Sequence, residues 1–248
     1  MATHFKGPIL YSAARKGLEN LQVGVWPDQA VLYDDFTGIL LDATNDWTVV
    51  KDTSATAALS ADTATGVLAL TSEATTDNDG ASIQGNEIFQ LPSTAGEKLF
   101  FEARFFASST SGSGVGQMDI WIGLCENFAT NPEAAFTASN RIGFQLDDGS
   151  SLTRLITEAS DTETETELAA AYNLTDDTYV TVGFIGTKGT TTDTVQFYYN
   201  RQLVGTHTTN IPTSLMTPAA VEVSGDATGT KSMSVDYIMA AVDRGVTY

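Results

Sequence analysis

The chain has 248 residues, of which 42% are hydrophobic and 17% are charged, a composition typical of a folded protein rather than a disordered one. Twelve Lys and Arg residues against 31 Asp and Glu give a net charge of -19, which argues against nucleic-acid and membrane partners because it repels phosphate backbones and anionic lipid surfaces. One cysteine and two histidines exclude a disulfide framework and a Cys/His zinc site within the chain, so we expect no metal and no cofactor.

Residues 1–33 differ from the rest of the chain in charge and in pattern. They hold three basic and two acidic residues, whereas residues 34–248 hold nine basic and 29 acidic ones. Their apolar residues follow neither the helical nor the strand period, and the first apolar run is too short for a signal peptide, which predicts folding in a cytosol. We predict an extended N-terminal arm that docks on a partner, and the alternative is a strand and loop folded onto their own domain. The predicted apolar anchors and basic contacts are Phe5, Lys6, Ile9, Leu10, Tyr11, Arg15, Lys16 and Trp26.

From residue 34 onward, short runs rich in β-branched and aromatic residues are bounded by Gly, Asp, Asn, Ser and Thr, which is typical of strands. The predicted strands are residues 45–50, 66–70, 83–91, 98–106, 117–124, 141–146, 178–185, 194–199, 219–223 and 232–242. The one helical candidate, residues 131–136, would last only a turn or two. The pattern predicts an all-β fold, with residues 34–248 forming one two-sheet antiparallel β-sandwich, or jelly roll.

Alternation within the strands predicts which side chains are buried. In residues 98–106, Glu102 and Arg104 share one face, so the odd residues from Leu99 to Phe105 should face the core. In residues 117–124 the even residues are apolar, which leaves Asp119 and Trp121 on the outer face. An outward tryptophan in the middle of a strand needs a partner. Trp121 is therefore covered by a loop or arm of the same chain, or it is a subunit contact or ligand face.

Two-sheet sandwiches with this number of strands resemble the concanavalin A-like group of lectins and glucanases. Hydrolases of that group carry a strand motif of the form Glu-x-Asp-x-(x)-Glu, and the nearest match is residues 117–122, with Asp119 at the centre. Retaining glycoside hydrolysis needs two carboxylates about 5 Å apart, one as nucleophile and one as acid and base. Gln117 can do neither, and the second flanking carboxylate is also missing. We therefore predict no catalytic residue and no enzymatic activity.

Two acidic segments are predicted to be structural. Carboxylates alternate along residues 161–167, which favours a solvated or edge strand protected from aggregation by its charge; the alternative is calcium bridging at a subunit contact. Residues 77–80 begin like a calcium loop, but Ile88 stands where an EF-hand requires glutamate, which favours a turn. Residues 147–149 indicate a hairpin turn. Cys125 and His207 have no nucleophile signature around them, which predicts a buried thiol and an ordinary strand-end histidine.

Several segments together resemble tailed-bacteriophage virion proteins that have a lectin-like sandwich. These segments are the opening MATHFKGPILY, residues 99–105, 119–124, 140–144, 147–149 and 195–200, and the closing residues 234–238. Such proteins are similar in role to head decoration, or cement, proteins. The resemblance implies a non-enzymatic structural protein that is assembled in the host cytoplasm and lies on the capsid exterior. Its implied partners are the major capsid protein and further copies of itself in a symmetric oligomer.

Two other functions remain open at this point. One is a carbohydrate-binding module of a phage tail or fibre, which exposed aromatic side chains on one concave face would favour. The other is a glycan hydrolase of the same fold, which a close pair of carboxylates with a raised pKa in a cleft would favour. An acidic surface suits the outside of a shell better than the inside, where the packaged genome carries like charge.

Overall fold

The computed structural model describes residues 29–38, 41, 46–60, 66–110, 114–129, 131–150 and 152–244. Within these ranges the chain forms fifteen β-strands and three short 3-10 helices. The strands are β1 (Gln29–Asp34), β2 (Thr48–Lys51), β3 (Thr56–Leu59), β4 (Leu68–Thr71), β5 (Gly80–Gln84), β6 (Lys98–Ser109), β7 (Met118–Cys125), β8 (Asn140–Leu146), β9 (Arg154–Ala159), β10 (Thr162–Glu167), β11 (Val180–Thr187), β12 (Thr194–Tyr199), β13 (Gln202–His207), β14 (Thr217–Ser224) and β15 (Lys231–Asp243). The helices are η1 (Gly114–Gln117), η2 (Pro132–Thr137) and η3 (Ala170–Tyr172). None of these helices has the length and apolarity that a membrane crossing requires.

The strands form two antiparallel sheets that pack face to face. The order β13-β12-β11-β6-β15-β4-β3, together with β1 paired to β15, makes the eight-stranded sheet, and the order β10-β9-β8-β7-β14-β5-β2 makes the seven-stranded sheet. This arrangement confirms the predicted all-β, two-sheet antiparallel sandwich. The short helical candidate is also confirmed, because residues 132–137 form a 3-10 helix of about two turns.

The core lies between the two sheets, on the faces that alternation predicts. Leu99, Phe101, Ala103 and Phe105 of β6 and Met118, Ile120, Ile122 and Leu124 of β7 all belong to one buried apolar cluster. Aromatic side chains join the layers: the ring of Phe144 on β8 meets Phe197 on β12 edge-on, with their centroids 5.5 Å apart. Each buried side chain of this size contributes about 1.5–3 kcal/mol relative to an exposed one, so these contacts fix the two sheets against each other.

A buried histidine links the two sheets of the sandwich through hydrogen bonds. His207 is the last residue of β13 in the eight-stranded sheet, and only 4% of its surface is exposed. Its Nδ1 lies 2.9 Å from the hydroxyl of Thr157, and its Nε2 lies 2.9 Å from the hydroxyl of Thr166. These threonines belong to β9 and β10 of the other sheet. The strand-end position is as predicted, and burial lowers the pKa of this histidine, so it links the sheets as a hydrogen-bonding group.

The sandwich begins earlier in the chain than the sequence analysis places it. β1 pairs with β15 along its whole length, from Gln29 opposite Asp243 to Asp34 opposite Ile238. Residues 29–33 therefore belong to the eight-stranded sheet and not to the arm, and the predicted boundary between residues 33 and 34 is wrong. The predicted anchors, from Phe5 to Trp26, lie outside the described residues.

Candidate functional site

The outer face of the seven-stranded sheet carries the nearest match to the hydrolase motif. On β7, Asp119 and Trp121 point away from the core. On the neighbouring β8, Ile142 and Phe144 belong to the core, so the alternating residues Arg141 and Gln145 point to the same outer side as Asp119 and Trp121. We call the outward side of β7, β8, β9 and β10 the motif face.

Trp121 is fully buried on the motif face, with 0% of its surface exposed. It lies in a second apolar cluster with Phe128, Ala135 and Ala138, which come from the chain that follows β7. The structure therefore agrees with the first of the two alternatives for an outward tryptophan, because a later segment of the same chain covers Trp121. Trp121 does not form a subunit contact or a ligand face, because its own chain already occupies the surface above it.

Hydrogen bonds hold this cover in place. The backbone N–H of Phe128 donates to Oε1 of Gln84 on β5, at 3.1 Å, and the amide of Gln84 donates back to the carbonyl oxygen of Phe128. The helix η2 begins at Pro132, and the side chain of Asn131 caps it by accepting a hydrogen bond of 2.9 Å from the N–H of Glu133. Asparagine at this position and proline in the first turn are both favoured at helix starts.

Arg141 is the centre of a buried polar network beside Trp121. Its side chain is 5% exposed, and its guanidinium donates to Glu158 at 2.6 Å, to Gln145 at 2.7 Å and to Glu163 at 2.5 Å. A buried charge needs such pairing, since removing it from water is strongly unfavourable. The sequence analysis missed this network because its members lie on three different strands, and strand register cannot be obtained from composition.

The predicted acidic edge strand is confirmed, and part of its charge is paired. β10 is the first strand in the order of the seven-stranded sheet. Glu163 pairs with Arg141, and Glu165 pairs with Arg154 at 2.7 Å. Within the described part of the chain, no group of three or more His, Cys, Asp or Glu side chains is placed to hold a metal ion. Glu163 and Glu165 thus face arginines of their own sheet.

Asp119 is a carboxyl group on the motif face whose pKa is raised. Its pKa is raised from 3.8 to about 6, mainly by burial and also by the charges of Asp148 and Glu133. The backbone N–H of Asp148, which donates to Asp119 at 2.8 Å, and the charge of Arg154 act in the opposite direction. A carboxyl group with this pKa can donate a proton near neutral pH.

The remaining predicted features have structural roles. Cys125 is 0% exposed, and burial raises the pKa of its thiol to about 12, which confirms a buried thiol. Residues 77–80 contain a turn in which Asn78 has a φ of 58°, while Asp79 accepts a hydrogen bond of 2.7 Å from the N–H of Glu73. Residues 147–149 lie in the connection between the paired strands β8 and β9, which confirms the hairpin.

No protein-family model matches the sequence, and no characterised protein sequence matches it. Solved structures do match the fold. An endo-1,3-β-glucanase from Streptomyces sioyaensis is similar with a TM-score of 0.61 and 14% identity, over 88% of this chain and 97% of the other. Peanut lectin is similar with a TM-score of 0.58 and 10% identity, over 86% and 97% of the two chains. The carbohydrate recognition domain of Emp47p is similar with a TM-score of 0.57 and 11% identity, over 86% and 94%.

These matches define the fold class. The chain has the concanavalin A-like β-sandwich of lectins and glucanases. Its structural neighbours include carbohydrate-binding proteins and glycoside hydrolases, and at these identities the likeness extends to the fold alone. The function has to be argued from the residues of the site.

Proposed function

We propose that the chain is a non-enzymatic structural protein of a tailed-phage particle, a decoration protein that binds the outer surface of the head and stabilises the shell. Its partners would be the major capsid protein and neighbouring copies of itself in a symmetric oligomer. Assembly would take place in the host cytoplasm.

The observation that carries this proposal is the state of the motif face. The hydrolase motif would place carboxylates on either side of Asp119, at position 117 and at position 121 or 122. Position 117 holds an amide, Trp121 is sealed beneath its own chain, and Ile122 lies in the core. Beside them, the charged groups of Arg141 and Glu158 are bonded to each other. A face filled in this way favours a stable scaffold over a catalytic cleft.

The decoration role itself is supported by sequence. The opening and closing segments resemble those of tailed-phage virion proteins. The net charge of -19 suits the exterior of a particle. An acidic coat keeps particles soluble, whereas an acidic protein inside the shell would be repelled by the packaged genome. Many equivalent sites on a shell also allow weak individual contacts to add up to stable attachment.

The test is binding to particles that lack their native decoration protein. The full chain should sediment with such particles at a saturating, symmetry-related stoichiometry, and imaging should place it on the head exterior. The particles should also resist heat or low salt better after binding. Binding at the tail, or no binding to heads, would overturn the proposal.

A second candidate is action on glycans at Asp119, which its raised pKa and its neighbours Asp148 and Glu133 favour. Assays of β-glucan hydrolysis would compare the wild type with Asp119→Asn and with the control Asp77→Asn, an exposed carboxylate elsewhere. Hydrolysis that only Asp119→Asn abolishes would establish an enzyme. Saturable glycan binding without hydrolysis would instead indicate a carbohydrate-binding module.

A further inference from the structure

The outer face of the eight-stranded sheet carries apolar residues on six adjacent strands. Residues paired across β1, β15, β6, β11, β12 and β13 form two rows on this side, which we call the β1 face. One row is Val31, Ala241, Phe100, Ile185, Gln196 and Thr206, and the other is Tyr33, Met239, Glu102, Gly183, Tyr198 and Leu203. Phe100, Tyr198 and Ala241 form a cluster against which Ile185 and Met239 pack.

Large side chains at both ends of the β1 face are exposed. Val31 is 36% exposed, Tyr33 is 58% exposed and Leu203 is 52% exposed. They account for three of the five large hydrophobic residues that are exposed among the described residues. Between these ends Phe100, Tyr198 and Ala241 are only 7%, 9% and 0% exposed. The apolar surface that the β1 face offers to a further segment therefore lies beside this buried cluster, and Val31 and Tyr33 form its border on β1.

The chain enters this face at its border. The 28 residues before β1 lead directly into Gln29, which lies opposite Asp243 next to the first row. In extended form they could span about 90 Å, whereas six strands are only about 24 Å wide. Three residue steps span at most about 11 Å, so the chain is long enough for Trp26 to reach the border of the face.

The composition of residues 1–28 complements the β1 face. They contain the apolar side chains Phe5, Ile9, Leu10, Tyr11 and Trp26, and they hold three basic residues against two acidic ones. The other residues hold nine basic against 29 acidic ones. Glu102 lies within the second row, and Asp243 lies at the border. Apolar contact with the rows and attraction to the acidic domain therefore act together.

We propose that residues 1–28 pack on the β1 face of their own sandwich, with Trp26 seated beside Val31 and Tyr33. This corresponds to the second of the two alternatives given for the N-terminal arm, in which the segment folds onto its own domain. It does not depend on the decoration function, which would then use another surface for the shell.

Acrylamide quenching of tryptophan fluorescence in the full chain tests this directly. The chain has three tryptophans, and the other two, Trp47 and Trp121, are 3% and 0% exposed, so only Trp26 can change. Acrylamide is neutral and is not repelled by the acidic protein. Wild type should show almost no quenchable fraction. Tyr33→Glu, and separately Val31→Glu, should raise that fraction to about one third, the share of one tryptophan in three.

Two controls make the result specific. Leu215→Glu changes an apolar residue that is 46% exposed and lies outside the eight-stranded sheet, and it should leave Trp26 protected. Trp26→Phe in the Tyr33→Glu background should remove the new quenchable fraction. Circular dichroism confirms that each variant is folded.

Three results would overturn the proposal. Free quenching of Trp26 in the wild type would show that the segment is not docked. Protection that disappears on dilution, together with dissociation of a dimer, would show that a second copy is the occupant. Protection that appears only after phage heads are added would show that the segment binds the shell, which would leave the decoration function intact.

Discussion

The guanidinium carbon of Arg141 lies 5.3 Å from the centre of the Trp121 ring. A buried cation and a fully buried indole thus stabilise each other on the outer face of the seven-stranded sheet. The arginine fixes Glu158 and Glu163 from β9 and β10, while the indole anchors the chain that follows β7. Together, Arg141 and Trp121 connect β7, β8, β9 and β10 with the segment that follows β7.

The Trp121→Ala variant should lose about 3–5 kcal/mol of unfolding free energy, because it leaves a large cavity under residues 128–138 and removes the contact with Arg141. Trp121→Phe keeps part of the buried area and should lose less. Urea denaturation of both variants measures this. A loss below about 1 kcal/mol for Trp121→Ala would mean that the covering segment does not depend on the indole.

Arg141→Met should lose about 3–5 kcal/mol, because it leaves the buried carboxylate of Glu158 without its partner. The matched control is Arg104→Met, which breaks the pair with Asp236 at a side chain that is 39% exposed, compared with 5% for Arg141. The control should lose less than Arg141→Met, because Arg104 lies partly in solvent, which screens its charge, while the side chain of Asp236 is 14% exposed. Equal losses in the two variants would contradict the description of Arg141 as a buried hub.

The fold follows from local pattern, whereas the site depends on register. Alternation around Phe101 and Ile122 identifies the core faces, because the side-chain period of a strand is 2. β1, β3 and β9 escape prediction, and β9 mixes charged with apolar residues. Arg141 meets Glu158 and Glu163 only because β8, β9 and β10 pair in one register. That register is set by the whole sheet.

Stability should depend on pH through Glu222, which is 0% exposed and accepts a hydrogen bond of 3.1 Å from Ser72. Burial raises its pKa well above the ordinary value of 4.5, Asp79 raises it further, and Lys231 lowers it. The folded state therefore binds this proton more tightly than the unfolded state does. The stability due to the protonated carboxyl is present below pH 4.5 and is lost as the pH rises towards the folded pKa.

Glu222→Gln mimics the protonated carboxyl, so its unfolding free energy relative to wild type should increase between pH 4.5 and pH 8. Thermal or urea unfolding across this range measures the difference. Glu167→Gln, at an exposed position on β10, serves as the control and should track wild type at every pH. A constant difference for Glu222→Gln would show that burial does not shift this group.

Gly143 makes room for the indole of Trp121. A Cβ atom at Gly143 would lie 2.9 Å from Cζ2 of Trp121 and 2.6 Å from the carbonyl oxygen of Ile122. In most strands, exchange of glycine for alanine restricts the unfolded chain and adds packing. Here the added methyl group collides with backbone and with a fixed ring, so overpacking outweighs that gain.

Gly143→Ala should therefore lose about 1–3 kcal/mol of unfolding free energy and should shift the fluorescence of the displaced Trp121. Gly116→Ala is the control, since a Cβ atom there would have its nearest neighbour at 3.8 Å, and it should be close to neutral. In the Trp121→Ala background the collision with the ring disappears while the contact with the backbone of Ile122 remains. The double variant should thus lose less than the sum of the two single losses, and strict additivity would place the strain at the backbone instead of at the indole.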